Sequence, residues 1–220
     1  LIVCAIAVTA VPETVDTVAA ARTYRPQRLS APAASRTVFV AAGFGAFAGF
    51  AVFGLFTSLA PTILVGTFAA PDHLLAGTTT FAVFAAAATG QVVLAGRTRR
   101  TQLTIATICC ALGLTGIAVG AVIAVLPVFL IGGVVAGVGV GVLFKSAIAT
   151  AASIAEPTRR GETLALIFLV AYCGLALPAI AIGVVLTVAP QTLVLLVFAS
   201  LTLIATVSAS LVMRRGADTA

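Results

Sequence analysis

Six stretches of more than 20 residues run through this chain with almost no charge, at roughly 37–61, 74–95, 101–125, 127–155, 163–189 and 192–213. Each is long enough to cross the ~30 Å of bilayer hydrocarbon as a helix, which takes about 20 residues. In that medium every backbone N–H and C=O must find a partner inside the protein, so only helices or closed barrels span it. Barrel strands alternate apolar and polar residues over about ten positions, and these runs do not alternate. The expected fold class is therefore all-α, a polytopic membrane protein with six transmembrane helices. Composition agrees: 61% of the residues are hydrophobic and 8% charged, with a mean hydropathy of +1.25. That leaves too little charge to cover a soluble surface.

The net charge of +6 comes from 11 Arg and one Lys against six acids. The arginines stand in short clusters at 22–36, 97–100, 159–160 and 214–215, each at the end of an apolar run. No basic stripe interleaved with aromatics appears, so nucleic acid is not an expected partner. The alternate connections, around Pro71-Asp72-His73, Leu126-Pro127 and Ala189-Pro190-Gln191, hold no Arg. Such alternation follows the positive-inside rule. It predicts a multi-pass protein of the inner or plasma membrane with the 12–36 connection and the C-terminus in the cytoplasm. Arg97, Arg99, Arg100, Arg159 and Arg160 are then topology and gate candidates.

The chain opens on an apolar stretch, residues 1–11, followed by Pro12-Glu13-Thr14. No basic region and cleavage site mark a signal peptide, so this stretch is expected to be the end of a truncated transmembrane helix. The expected organisation is then a basic loop over 12–36, a six-helix bundle over 37–213 and a tail over 214–220. Cys4, Cys109, Cys110 and Cys173 lie in apolar runs without metal-like spacing, and read as small packing residues.

Gly133, Gly137 and Gly141 recur every four residues, as do Gly45 and Gly49, and Gly116 and Gly120. This spacing puts small residues where two helix backbones can approach. Two readings stay open: ordinary packing, or faces that rock against each other. Pro178 removes a backbone hydrogen bond inside the fifth span, which predicts a kink.

The layout of helix end, long basic loop and six helices resembles the C-terminal half of a major facilitator superfamily transporter. Three local stretches carry the resemblance. Gly137-Val138-Gly139-Val140-Gly141-Val142-Leu143-Phe144 resembles the glycine-rich tenth helix of that family. Pro157-Thr158-Arg159-Arg160-Gly161 resembles its link to the eleventh helix. Tyr172-Cys173-Gly174-Leu175-Ala176-Leu177-Pro178 resembles the start of that eleventh helix. The resemblance implies secondary transport of a small molecule by alternating access, as a permease or a drug or metabolite exporter. It also implies an N-terminal six-helix half as partner, with protons among the candidate coupling ions. One departure is plain: Gly96-Arg97-Thr98-Arg99-Arg100 has no acid, whereas the family's loop there often has an Asp before its Arg.

Lys145 is the single ionisable residue deep in a span, which makes it a substrate-site candidate by default. At 1.5 Å per residue it stands about 15 Å from Ala155, near the midplane if the span is centred. The alternative is that the long span lets Lys145 snorkel to the headgroups. Gln91 and Tyr172 join it as cavity candidates, because an amide or a phenol is hard to satisfy within its own helix. Thr57, Ser58, Thr78, Thr79 and Thr80 are weaker, since hydroxyls bond back to their own backbone. Asp72 and His73 are expected to be a solvated pair in a turn.

The sequence has a single His, no G-x-S-x-G and no phosphate-binding loop, so no enzyme, cofactor or metal is expected. A complete six-span protein working as a homodimer, or a non-functional gene fragment, is the competing reading.

Overall fold

The computed structural model describes residues 35–217. The truncated helix end expected over 1–11, Cys4 and most of the basic loop over 12–36, with Arg22, Arg25 and Arg28, lie outside the described residues. Seven α-helices follow: α1 (Arg36–Gly54), α2 (Ala60–Phe68), α3 (His73–Val93), α4 (Arg99–Val122), α5 (Leu126–Ile154), α6 (Arg160–Val185) and α7 (Gln191–Ala217). A single π turn, Leu55–Leu59, joins α1 to α2 without a break. The two helices thus make one span, and six spans are long and apolar enough to cross a membrane.

The first span runs over Arg36–Phe68 rather than stopping at Pro61. Pro61 lacks an N–H and would end an α-helix at this point. The wider π turn just before it absorbs the mismatch, and Thr57 Oγ1 donates to Phe53 O at 2.9 Å. The chain then turns at Ala69, whose φ of 50° closes α2 in the left-handed region. The last helix also outruns its expected end, continuing through Arg214 and Arg215 to Ala217. Helix starts are fixed by local chemistry. Asp72 Oδ1 accepts from the amides of Leu74 and Leu75 at 2.8 and 3.3 Å, and Thr98 Oγ1 accepts from Thr101 N at 3.3 Å. Asp72 is thus a helix cap, while His73 beside it is exposed.

The spans pack in two layers. The front row runs α3, α5, α1, α6, each touching the next, and α4 and α7 form the back layer. α4 packs on α5, α7 on α1, and α4 and α7 on each other. The first span and α5 are the central pair, with 72% and 56% of their most apolar stretch buried against 28–44% for the others. One core cluster gathers Phe56, Leu114, Phe129 and Leu195 toward the ends without arginine. The other gathers Phe39, Leu103, Leu143 and Met213 toward the Arg-bearing ends.

This neighbour pattern has a symmetry. Exchange the first three spans with the last three, so that α1 swaps with α5, α3 with α6 and α4 with α7. The α4–α5 interface then becomes α7–α1, and α3–α5 becomes α6–α1, while α1–α5 and α4–α7 map onto themselves. Each set has three spans, an odd number, so the two sets cross in opposite directions.

Candidate functional site

The first span carries phenylalanine at every third position: Phe44, Phe47, Phe50, Phe53 and Phe56. A three-residue step falls about 60° short of a full helical turn of 3.6 residues, so successive rings fan around the helix. Phe44 lies beside α7 residues, and the backbone of Phe47 meets Gly174 of α6. Phe50 and Phe53 look between these neighbours, and Phe56 packs on Phe129 of α5 with ring centroids 5.7 Å apart.

Phe50 and Phe53 are the centre of a ring network that crosses the whole front row. Phe53 stacks on Phe84 of α3 at 4.4 Å with the planes 21° apart. Phe50 contacts Phe53 at 5.5 Å, Phe144 of α5 at 4.7 Å and Tyr172 of α6 at 5.8 Å. Phe144 contacts Phe168 of α6 at 5.7 Å. Each such pair contributes about 0.5–1.5 kcal/mol beyond burial. The outer members stay open, with Phe84 39%, Phe168 40% and Tyr172 60% exposed. Phe50, Phe53 and the exposed Thr57 follow an i, i+3, i+7 line along this same face.

Glycines on α5 let the network close. Phe84 on α3 reaches Phe53 although α5 lies between their helices in the row. A Cβ on Gly137 would stand 2.5 Å from Val83 O, and one on Gly141 would overlap Ala87 O. Both glycines thus bring α3 against the α5 backbone, while Gly133 receives the Phe56 ring. The four-residue run therefore serves two neighbours rather than one. Gly49 faces Val140, and Gly45 faces Ala209 and Met213. Where α3 meets the π turn, Thr80 Oγ1 donates across to Phe56 O at 2.8 Å. Thr78 and Thr79 bond back to their own helix.

A polar knot lies toward the Arg-bearing ends. Lys145 Nζ donates to Gln91 O at 2.7 Å. Gln91 is two residues from the end of α3, so its carbonyl belongs to the last turn, where acceptors lack intrahelical donors and a cation is favoured. Buried Gln102 of α4 closes the same helix end, its Nε2 donating to Leu94 O at 2.8 Å and Arg97 O at 3.0 Å. Ser146 Oγ donates to Gln102 Oε1 at 3.4 Å, and Thr150 Oγ1 to Ser146 O at 2.7 Å. Arg160 closes α5 in the same way through two donors on Ala152 O, at 2.9 and 3.1 Å, and Arg159 pairs with Glu156 at 3.8 Å.

Two of the three cavity candidates thus meet, although Lys145 takes the Gln91 carbonyl rather than its amide. Lys145 stands level with the last turn of α3, not at that helix's middle. Tyr172 joins the aromatic network instead. Pro178 lies inside a helix that continues on both sides, and it faces α7 residues across two lateral grooves. Among the described residues the acids are Asp72, Glu156 and Glu162, all at helix starts or connections. Sequence reasoning missed the ring network, whose signal was the three-residue Phe period. It also missed Gln102, a lone amide one turn into an apolar helix. Compared with known proteins, the chain matches no family model, no curated protein and no solved structure.

Proposed function

We propose that this chain is one six-helix half of a secondary transporter of the major facilitator type, moving a small solute by alternating access. The carrying observation is the neighbour pattern that survives exchange of the two oppositely directed three-span sets. Inverted three-plus-three repeats of this kind underlie transporter halves whose solute path lies at an interface between repeats. In this reading the front row faces that path, with Phe50, Phe84, Phe144, Phe168 and Tyr172 as its lining. Lys145 and Gln91 lie toward the end that the arginines assign to the cytoplasm. The partner is a second six-helix half laid against the front row, and the cycle is driven by an ion gradient, with protons the candidate ion, or by the solute's own gradient. Drug or metabolite efflux is the direction the resemblance favours.

The test is water access to the front row in native membranes. In a cysteine-free background, Tyr172→Cys and Phe84→Cys are expected to react with a membrane-impermeant maleimide. Leu201→Cys, exposed on the back layer, is expected to stay unlabelled in lipid. If the front-row positions are as unreactive as Leu201→Cys, the front row faces lipid and the transporter reading fails.

A further inference from the structure

We propose that the Arg-bearing ends of α4 and α7 together hold the headgroup of an anionic phospholipid. The two helices pack on each other in the back layer and run in opposite directions. Arg99 and Arg100, in the first turn of α4, therefore stand at the same end as Arg214 and Arg215, in the last turn of α7. Arg97 lies just before α4. Arg36 opens α1, whose Val38 side chain packs against Gly216 of α7. Among the described residues, six arginines thus stand at the Arg-bearing ends of α1, α4 and α7. Glu156 and Glu162 belong to the other Arg-bearing connection, between α5 and α6, where Glu156 already pairs with Arg159.

The two arginine pairs are not equivalent. Arg214 and Arg215 suit the negative end of their own helix dipole, whereas Arg99 and Arg100 sit on the positive end of theirs. That first turn has no acid to offset them, and Thr98 caps only the amide of Thr101. A phosphate in this position accepts from the remaining first-turn amides and takes guanidinium donors in pairs. It also turns an unfavourable charge arrangement into a favourable one.

The source of the phosphate follows from what lies beyond the arginines. Farther along the same two helices, Ile108 and Leu112 of α4 and Leu201 and Ile204 of α7 are all exposed and apolar. An acyl chain is covered along the same layer that presents the arginines to its headgroup, and a free phosphate gains nothing from that surface. The inference does not depend on the transport reading.

The purified chain in neutral detergent is unfolded by heat while phosphatidylglycerol, phosphatidylcholine or inorganic phosphate is titrated in. A ligand held only by the folded state raises the melting temperature. Phosphatidylglycerol is expected to raise it, and the other two to leave it unchanged at equal concentration. An arginine near an anionic surface is worth roughly a fivefold factor. The R99Q/R100Q double variant should therefore need at least roughly tenfold more phosphatidylglycerol for half the rise. Its lipid-free melting temperature should be no lower than the parent's, because two cations have left a helix N-terminus. R159Q should keep the full rise. Equal stabilisation by phosphatidylcholine, a rise from inorganic phosphate alone, or an undiminished rise in R99Q/R100Q would each overturn the proposal. Native mass spectrometry of the same samples gives a readout that does not rest on unfolding: a phosphatidylglycerol adduct on the parent and on R159Q, and none on R99Q/R100Q.

Discussion

The α4–α5 seam and the α7–α1 seam hold equivalent places in the bundle, yet they are built from different material. Along α4–α5 backbone meets backbone. A Cβ on Gly113 would overlap the Ala136 nitrogen, one on Gly116 would lie 2.9 Å from Gly132 Cα, and one on Gly120 2.5 Å from Phe129 N. Along α7–α1 a Cβ on Gly45 would meet only side-chain atoms, Ala209 Cβ at 3.2 Å and Met213 Cε at 3.5 Å. Beside that second seam a groove of about 330 Å³ opens between Phe44, Ala48 and Ala51 of α1 and Phe198, Thr202 and Ala205 of α7. Backbones in contact have no rotamers to give, while side chains beside a void do. The first seam is therefore a fixed joint and the second a deformable one, inside one repeated plan. In membranes, where lipid is as apolar as the helix surface, close packing of this kind is a main source of association energy.

The strongest attempt to break the contrast adds one methyl group to each seam. Gly113→Ala should cost about 1–3 kcal/mol or more, the usual range for overpacking, while Gly45→Ala should cost less than about 1 kcal/mol. Equal losses in reversible unfolding from mixed micelles would mean that the two seams are alike. Next in size is Gln102→Leu, which strips the donors from Leu94 O and Arg97 O at the Arg-bearing end of the tight seam. Leaving such acceptors unsatisfied costs about 1–3 kcal/mol, and hydrogen exchange at residues 94–98 should accelerate with it. Lys145→Met removes one charge-assisted bond from a half-buried side chain to the end of α3, at about 1.5 kcal/mol. Its exchange effect should be confined to the last turn of α3, and a change spread over α4 as well would show that the polar knot acts as one unit. The smallest effect is expected from Ala205→Val, which extends into the groove of the deformable seam. Filling free space there should shift stability by about 0.5 kcal/mol, toward greater stability, and a clear loss would show that the groove is already filled.

The number and approximate limits of the spans were legible from the chain alone, because charge-free runs of this length have few other solutions in lipid. Which face of each span turns inward was not. In water a helix marks its buried side with apolar residues. Here the outer sides are as apolar as the core: exposed Leu177 and Ile180 differ little in kind from buried Ile167 and Ile182 on the same helix. The glycines gave positions of close approach but not partners, and one regular run proved to serve both the π turn of the first span and α3. Lys145 stood out as a lone charge, yet its acceptor lies 54 residues earlier and is a backbone atom that no side-chain pattern announces. Pro61 misled for a local reason, since the π turn before it leaves no α-helical hydrogen bond for the proline to break, and the span runs on through it as α6 does through Pro178.

That turn has a consequence for the whole first span. One residue more per turn at Leu55–Leu59 slips the phase of everything after it by about 100°, the angle that a single residue subtends in an α-helix. The stretch before the slip packs its backbone on α5, α6 and α7. The stretch after it meets α3 and α7, and there the Gln191 side chain settles on Gly66 and reaches Thr62 O at 3.4 Å. Removing one residue here would leave a smoother helix whose two ends no longer agree on which way is in.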